Sequence, residues 1–193
     1  MEESFDVIIC GSGTAGLCAA TWLARYGLRC KILERRSGPL EIGQADGVQC
    51  RTVEIFESFG LVDELLRESY HVLEFAFWEA NNDEGIKLKT RVGDTPEGLT
   101  HLPHVILNQA RINGLLIEAM QRFNGQGIDY GYAVNSIHAD SLAASDPNAH
   151  CVTIVAEKDG TPVTYKAKYA IVSPCYLRYL FLSLTNSGLR RRP

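Results

Sequence analysis

A chain of 193 residues, 46% hydrophobic and 22% charged with 17 glycines, has the composition of one soluble globular domain with a sizeable core, with room for a further fragment. Its net charge of −4 leaves no nucleic-acid footprint, although the last few residues are locally basic. The six cysteines (Cys10, Cys18, Cys30, Cys50, Cys151, Cys175) are scattered without a CxxC pair, and several sit in apolar runs, so they read as reduced core thiols rather than disulfides or a zinc site.

The acidic start passes straight into a strand, which excludes a signal peptide. "YLRYLFLSL" is too short to span a bilayer and carries Arg178. A soluble cytoplasmic protein is the expectation.

"FDVIICG" is a short Val/Ile-rich run suited to a buried parallel strand. "GSGTAGLCAATWLARYG" follows as a glycine turn and a helix, with Leu17, Ala20, Leu23 and Ala24 at helical spacing and Gly27 as C-cap. "LRCKILE" is the second strand of this βαβ unit. Val53 to Ser69 reads as helical, with a turn at "SFGL" around Gly60. From about residue 72 the pattern becomes strands: "HVLEFAFWEA", then "GIKLKTRV" after the "NNDEG" turn. "GDTPEGLTHLPH" is a polar loop, and "NQARINGLLIEAMQRF" an amphipathic helix with Asn108 as N-cap. "GIDYGYAVNSIHAD", "HCVTIVAEKDG" and "PVTYKAKYAIV" are strands, the last two joined by a "KDGT" hairpin. No internal repeat or low-complexity linker interrupts this order. The plan is mixed α/β in two lobes.

Gly11, Gly13 and Gly16 form GxGxxG, a weak signal alone. Here it follows a predicted strand, opens a predicted helix and precedes Glu34 at the end of the second strand, which together make a dinucleotide fingerprint. Gly11 permits the tight turn, Gly13 lets amides approach a pyrophosphate, and Gly16 allows close helix–strand packing at a positive helix N-terminus. Glu34 can accept hydrogen bonds from both hydroxyls of an adenosine ribose and would repel a 2′-phosphate. There is no GK[ST], so this is not a P-loop.

After Glu34 a plain NAD domain would continue with another βα repeat. This chain has "RRSGPLEIGQADGVQCRTVEIFESFGL" instead. With "VIICGSGTAGLCAA", "ILERR", "GQADGVQCRTVEIFESFGL" and "LNQARINGLLIEAM" in family order, it resembles the FAD-dependent aromatic hydroxylases, and within them the phenol hydroxylase (phenol 2-monooxygenase) branch, over roughly residues 5 to 172. The resemblance implies an incomplete α/β fold, a Rossmann-like βαβ start with an inserted, mostly antiparallel β lobe. Residues 1–172 would be a partial FAD-binding domain with substrate-domain strands within about 72–107, and 173–193 a tail outside the family pattern. It also implies FAD as cofactor, NAD(P)H as transient co-substrate, O2, and a small phenolic or other aromatic substrate. Nucleic acid and membrane are excluded as partners, and a homodimer of the full-length enzyme stays open.

Carried residue by residue, Gly11, Ser12, Gly13, Thr14, Ala15 and Gly16 would form the pyrophosphate turn, with Thr14 and Ala15 facing it. Glu34 would hold the ribose, with Arg35 and Arg36 near the adenylate end. Gln44, Ala45, Asp46 and Gly47 would run beside the flavin, and Gln109 would contact the cofactor from the later helix. Asp46 matches an aspartate that lies near the substrate hydroxyl, where a carboxylate can take the phenol proton and leave an electron-rich ring. The alternative is that Asp46 caps the turn before Gly47. Arg51 reads as a buried structural cation or a ligand, its role left open.

His101 and His104 form HxxH around Pro103 with no third ligand or base nearby, which a polar loop explains better than zinc. Phe75, Phe77 and Trp78 alternate as a sheet face packed in a core would, and Tyr130 and Tyr132 read as sheet residues. No GxSxG pattern points to a hydrolase.

In the resembling family the strand matching "AKYAIV" runs into a GADG or GCDG motif at the flavin. This chain departs at Ser173. Read one nucleotide later, codons chosen from the synonyms of Leu189 to Pro193 can encode Cys-Asp-Gly-Ala, the missing motif. The expectation is a translated intron or gene-model error over about Ser173 to Ser187, and genomic DNA flanking the Val172 codon tests it. The other reading of the chain is a non-catalytic nucleotide-binding or partner-binding module.

Overall fold

The computed structural model describes residues 4–43, 45–81 and 85–173. Gln44 and the tail beyond Ser173, on which sequence expectations fall, lie outside the described residues. The chain divides into two compact units, residues 1–40 with 116–193, and residues 41–115.

The first unit opens as the apolar runs require. β1 (Ser4–Cys10) leads through the glycine turn into α1 (Thr14–Arg25) and back to β2 (Cys30–Glu34). β1 and β2 pair in parallel, Ile9 opposite Ile32. A six-stranded sheet runs in the order β8-β2-β1-β11-β10-β9. β8 (Asp129–Tyr130), β2, β1 and β11 (Thr161–Val172) are parallel, and β11 continues antiparallel through β10 (Val152–Lys158) to β9 (Ala133–Ala139).

The β10–β11 hairpin turns on Asp159 (φ 50°) and Gly160 (φ 75°), the two positive φ values of a type I′ turn. Gly131 (φ 80°) divides β8 from β9 where the sequence reads as one strand. Ile8, Cys10, Leu33, Ile154 and Ala167 form the sheet's core, with Tyr132 packed against it.

In the second unit the helical stretch expected over Val53 to Ser69, with its turn around Gly60, is two helices: α2 (Cys50–Phe59) and α3 (Val62–Glu68). Gly60 takes φ 74°, and the Leu61 N–H donates to the Phe56 carbonyl at 2.9 Å, closing α2 in a left-handed cap. Val53, Phe56, Phe59, Leu61, Leu65 and Val105 are fully or almost fully buried and form this unit's apolar interior.

β7 (His104–Ile106) lies between β3 (Gly47–Val48) and β4 (Tyr70–Val72), all antiparallel. β5 (Glu74–Asn81) and β6 (Gly85–Gly93) pair only with each other. This overturns core packing for the aromatic run: Phe75, Phe77 and Trp78 are 44%, 52% and 61% exposed. No further strand joins this ribbon among the described residues. α4 (Gln109–Asn124) carries the boundary between the units, and the Asn108 side-chain oxygen accepts the Ala110 N–H at 2.9 Å, the expected cap.

Candidate nucleotide and flavin site

Within the first unit the structure brings Gly11, Ser12, Gly13, Gly16, Glu34 and Arg36 together. Gly11 has φ 103°, and its N–H donates to the Leu33 carbonyl at 2.8 Å, which ties the turn to β2. A Cβ on Gly16 would collide with the Gly11 carbonyl oxygen, so only glycine lets α1 start so close to β1. Thr14 and Ala15 form the first turn of α1, whose N-cap Gly13 offers no side-chain acceptor. First-turn amides have no acceptor inside their own helix.

Glu34 is buried. Its Oε2 accepts the Ser12 N–H at 2.7 Å and the Ser12 hydroxyl at 2.9 Å. Its Oε1 accepts the Arg36 N–H at 2.9 Å, and the Arg36 guanidinium bridges both carboxylate oxygens at 3.1 and 3.3 Å. Arg36 Nη2 also donates to the Ser12 hydroxyl oxygen at 3.0 Å. Burial alone would raise the Glu34 carboxyl. The hydrogen bonds from Arg36 and Ser12 outweigh it and hold the group down at about 2. Arg35, the next residue, is exposed.

Ser173, where the sequence leaves the family pattern, is buried. Its N–H donates to the Cys10 carbonyl at 3.1 Å, and its Cβ stands 3.3 Å from where a Cβ on Gly11 would fall. Sequence reasoning did not single it out as a neighbour of the glycine turn, and only the parallel register of β1 and β11 places it there.

Within the second unit Asp46, Gly47 and Gln109 come together. The Leu107 N–H donates to the Asp46 carbonyl at 2.9 Å, and the Gln109 N–H to Asp46 Oδ1 at 3.2 Å. Asp46 therefore accepts from the first residue of α4. A Cβ on Gly43 would fall 2.5 Å from the Gln109 Cβ, so this segment approaches α4 only as glycine. Ala45, Asp46 and Gly47 are exposed, and Gln109 is half-buried.

Arg51 is not a buried cation. Its side chain is 84% exposed and pairs with Glu54 at 2.6 Å one turn along α2. His101 is exposed, 3.1 Å from Glu57. His104 departs from the expected polar loop: it opens β7, and its Nδ1 lies 2.9 Å from Asp94 Oδ1, with side chains only 9% and 7% exposed. Among the described residues no cluster of three metal-ligating side chains occurs, and no helix is long and apolar enough to cross a membrane.

The family model of the FAD binding domain matches residues 4–173. The chain belongs to that family. It is 58% identical over 90% of its length to the FAD-dependent monooxygenase terD of Aspergillus terreus, covering 29% of that protein. It is 38% identical over 89% of its length to 3-hydroxybenzoate 4-monooxygenase of Comamonas testosteroni, covering 28%. The chain thus spans under a third of the length of these relatives. The solved structure of p-nitrophenol 4-monooxygenase PnpA from Pseudomonas putida shares the fold, with a TM-score of 0.73 at 21% identity, over 89% of this chain and 41% of that one.

FAD is the cofactor of this family, and the first unit's turn has the chemistry to take it. Gly16 lets α1 start against the Gly11 carbonyl, so its N-terminal amides stand at the turn, and the ionised, buried Glu34 sits at the end of β2, where a ribose diol needs an acceptor.

Proposed function

We propose that this chain is the FAD-binding part of a flavin-dependent monooxygenase that hydroxylates a phenolic or related aromatic ring, with NAD(P)H as electron donor and O2 as oxidant. The observation that carries the reading is the Ser12–Glu34 clasp at the glycine turn, in a chain 58% identical to an FAD-dependent monooxygenase. In this reading residues 1–172 are a partial FAD-binding domain, and the strands within about 72–107 belong to the substrate lobe.

When bound, FAD supplies the transfer of electrons from NAD(P)H to O2 and of one oxygen atom to the ring. The chain's own residues bind and orient. The amides of Gly13, Thr14 and Ala15, at the positive end of α1, offer donors to the pyrophosphate. Glu34 accepts the ribose hydroxyls. Ser12 keeps the carboxylate aimed through a backbone bond that cannot rotate away, so a ribose hydroxyl displaces the half-exposed Arg36 guanidinium and not Ser12. Ala45, Asp46 and Gly47 line the flavin, Gln44 and Gln109 contribute amides, and Arg35 neutralises charge at the adenylate end. Asp46 accepts a proton from the substrate hydroxyl while its other oxygen stays on the Gln109 N–H.

The purified chain, and the chain extended to the length of its relatives, are assayed for NADH consumption. An increase on adding 3-hydroxybenzoate or phenol supports the monooxygenase. FAD binding with no phenol-dependent NADH consumption in the extended protein refutes the catalytic half of the reading and favours a non-catalytic nucleotide-binding module.

A further inference from the structure

A bidentate ion pair in the second unit has no place among the roles assigned above. Arg111, in the first turn of α4, donates from Nε to Glu68 Oε2 at 2.5 Å and from Nη2 to Glu68 Oε1 at 2.8 Å. Glu68 is the last residue of α3. The bond from Arg111 holds its carboxyl below the ordinary value, so Glu68 is an ionised acceptor. Two parallel bonds from a planar fork to a carboxylate admit one relative orientation, which a point charge would not impose.

The helix is shaped around this pair. Gly114 lies one turn beyond Arg111 on the same face of α4, and a Cβ there would fall 3.2 Å from Arg111 Nη1. Glycine is a poor helix former, and here it leaves the guanidinium its path to Glu68. The Arg111 and Glu68 side chains are nonetheless 37% and 32% exposed. An ion pair so open to water contributes little to folding. What the fork supplies is a fixed direction for the start of α4.

That first turn carries the segment around β3. The Gln109 N–H donates to Asp46 Oδ1 at 3.2 Å, and the Leu107 N–H, just before the helix, to the Asp46 carbonyl at 2.9 Å. Gly43 comes so close that a Cβ on it would fall 2.5 Å from the Gln109 Cβ. Gly47 pairs with Ile106 of β7, which leads into the same helix.

We propose that Arg111 is a positioning residue for the flavin: by gripping Glu68 it holds the first turn of α4, and through it Gln109, Gly43 and Asp46, in the orientation that receives the isoalloxazine ring. Arg111 acts through these residues and not by contact with the ligand. The proposal deepens the FAD reading above and rests on it.

The test is ¹H–¹⁵N NMR of the labelled chain titrated with FAD, read at the Gly13 amide of the glycine turn and at the Gln109 amide. The parent is compared with Arg111→Lys, which keeps the charge and loses the fork. Glu68→Gln reaches the same pair from α3 and leaves the sequence of α4 untouched. In the parent, FAD should move both amides. In each variant the Gly13 response at saturation should be unchanged and the Gln109 response should shrink. FAD affinity should weaken about threefold to tenfold, the scale of one net hydrogen bond, with the urea midpoint close to that of the parent.

Equal loss at both amides, or a urea midpoint that falls along with the affinity, marks a merely structural pair and overturns the proposal. Variants that match the parent at Gln109 overturn it too. A Gly13 response without a Gln109 response in the parent overturns the role of Arg111 and leaves FAD binding at the glycine turn standing. No response at either amide in the folded parent overturns both.

Discussion

Glu34→Gln isolates the interaction on which the nucleotide cradle depends. The substitution keeps the shape and removes the charge that receives Ser12 and Arg36. In the folded chain these donors depress the carboxyl from an ordinary 4.5 to about 2, against the opposing effect of burial. A depressed carboxyl contributes stability that is fully present above its unfolded value and is lost as pH falls through its folded value.

The displacement corresponds to about 3 kcal/mol, reduced to about 2 to 3 because the Arg36 guanidinium is partly in solvent. The parent chain should therefore exceed Glu34→Gln in unfolding free energy by about 2 to 3 kcal/mol near neutral pH, and the gap should narrow to about 1 kcal/mol near pH 3. Urea titrations of both proteins, followed by circular dichroism across that range, measure the gap. Taking the difference removes other titrating groups such as Asp6, which Lys168 also holds low. A gap constant with pH, or one that widens on acidification, would refute the clasp.

Further outcomes follow from the same geometry. Gly16→Ala drives a Cβ into the Gly11 carbonyl, backbone against backbone, and should cost about 2 kcal/mol or more in urea unfolding while abolishing FAD binding. Asp46→Ala removes an acceptor from the start of α4 and should destabilise the chain by about 1 kcal/mol, whereas Asp46→Asn keeps an oxygen there and should leave the urea midpoint nearly unchanged. In the extended protein Asp46→Asn should nonetheless lose phenol-dependent turnover, which separates the charge from the cap. Burial pushes the thiols of Cys10, Cys18 and Cys30 up to about 12, 11 and 11, so native labelling with iodoacetamide followed by mass spectrometry should leave these three unmodified, and urea should expose all of them.

The first unit was legible because its signals are local. A Val/Ile run, a glycine turn, a 3.6-residue apolar period and a second apolar run each fix one element, and their order leaves one topology. The "KDGT" hairpin was legible for the same reason, since both central residues must take positive φ. What could not be read depends on partners far away in sequence. The turn at Gly60 was readable from its glycine, whereas Gly131 is visible as a glycine but becomes a boundary only because of what packs around it.

Phe75, Phe77 and Trp78 have the alternation of a core strand, and nothing in that alternation says that β5 finds only β6 to pair with. His104 read as part of a loop because its strand is three residues long and begins after Pro103. The residue that makes it informative, Asp94, lies on a loop with no pattern of its own. At the site, Gly11, Gly13, Gly16 and Glu34 were legible from spacing. The bonds of Ser12 and Arg36 to Glu34, the contact of Gly43 with Gln109 and the capping role of Asp46 were not, because they are set by the turn's path and by the docking of α4.

The account stands most directly on FAD binding by this chain. Titration of the purified protein with FAD, followed by quenching of flavin fluorescence and by calorimetry, should give saturable one-to-one binding that Glu34→Gln weakens at least tenfold and that NADP does not compete away. A folded chain that leaves flavin fluorescence unchanged and releases no heat, or one that binds FAD equally well without the Glu34 carboxylate, would contradict it.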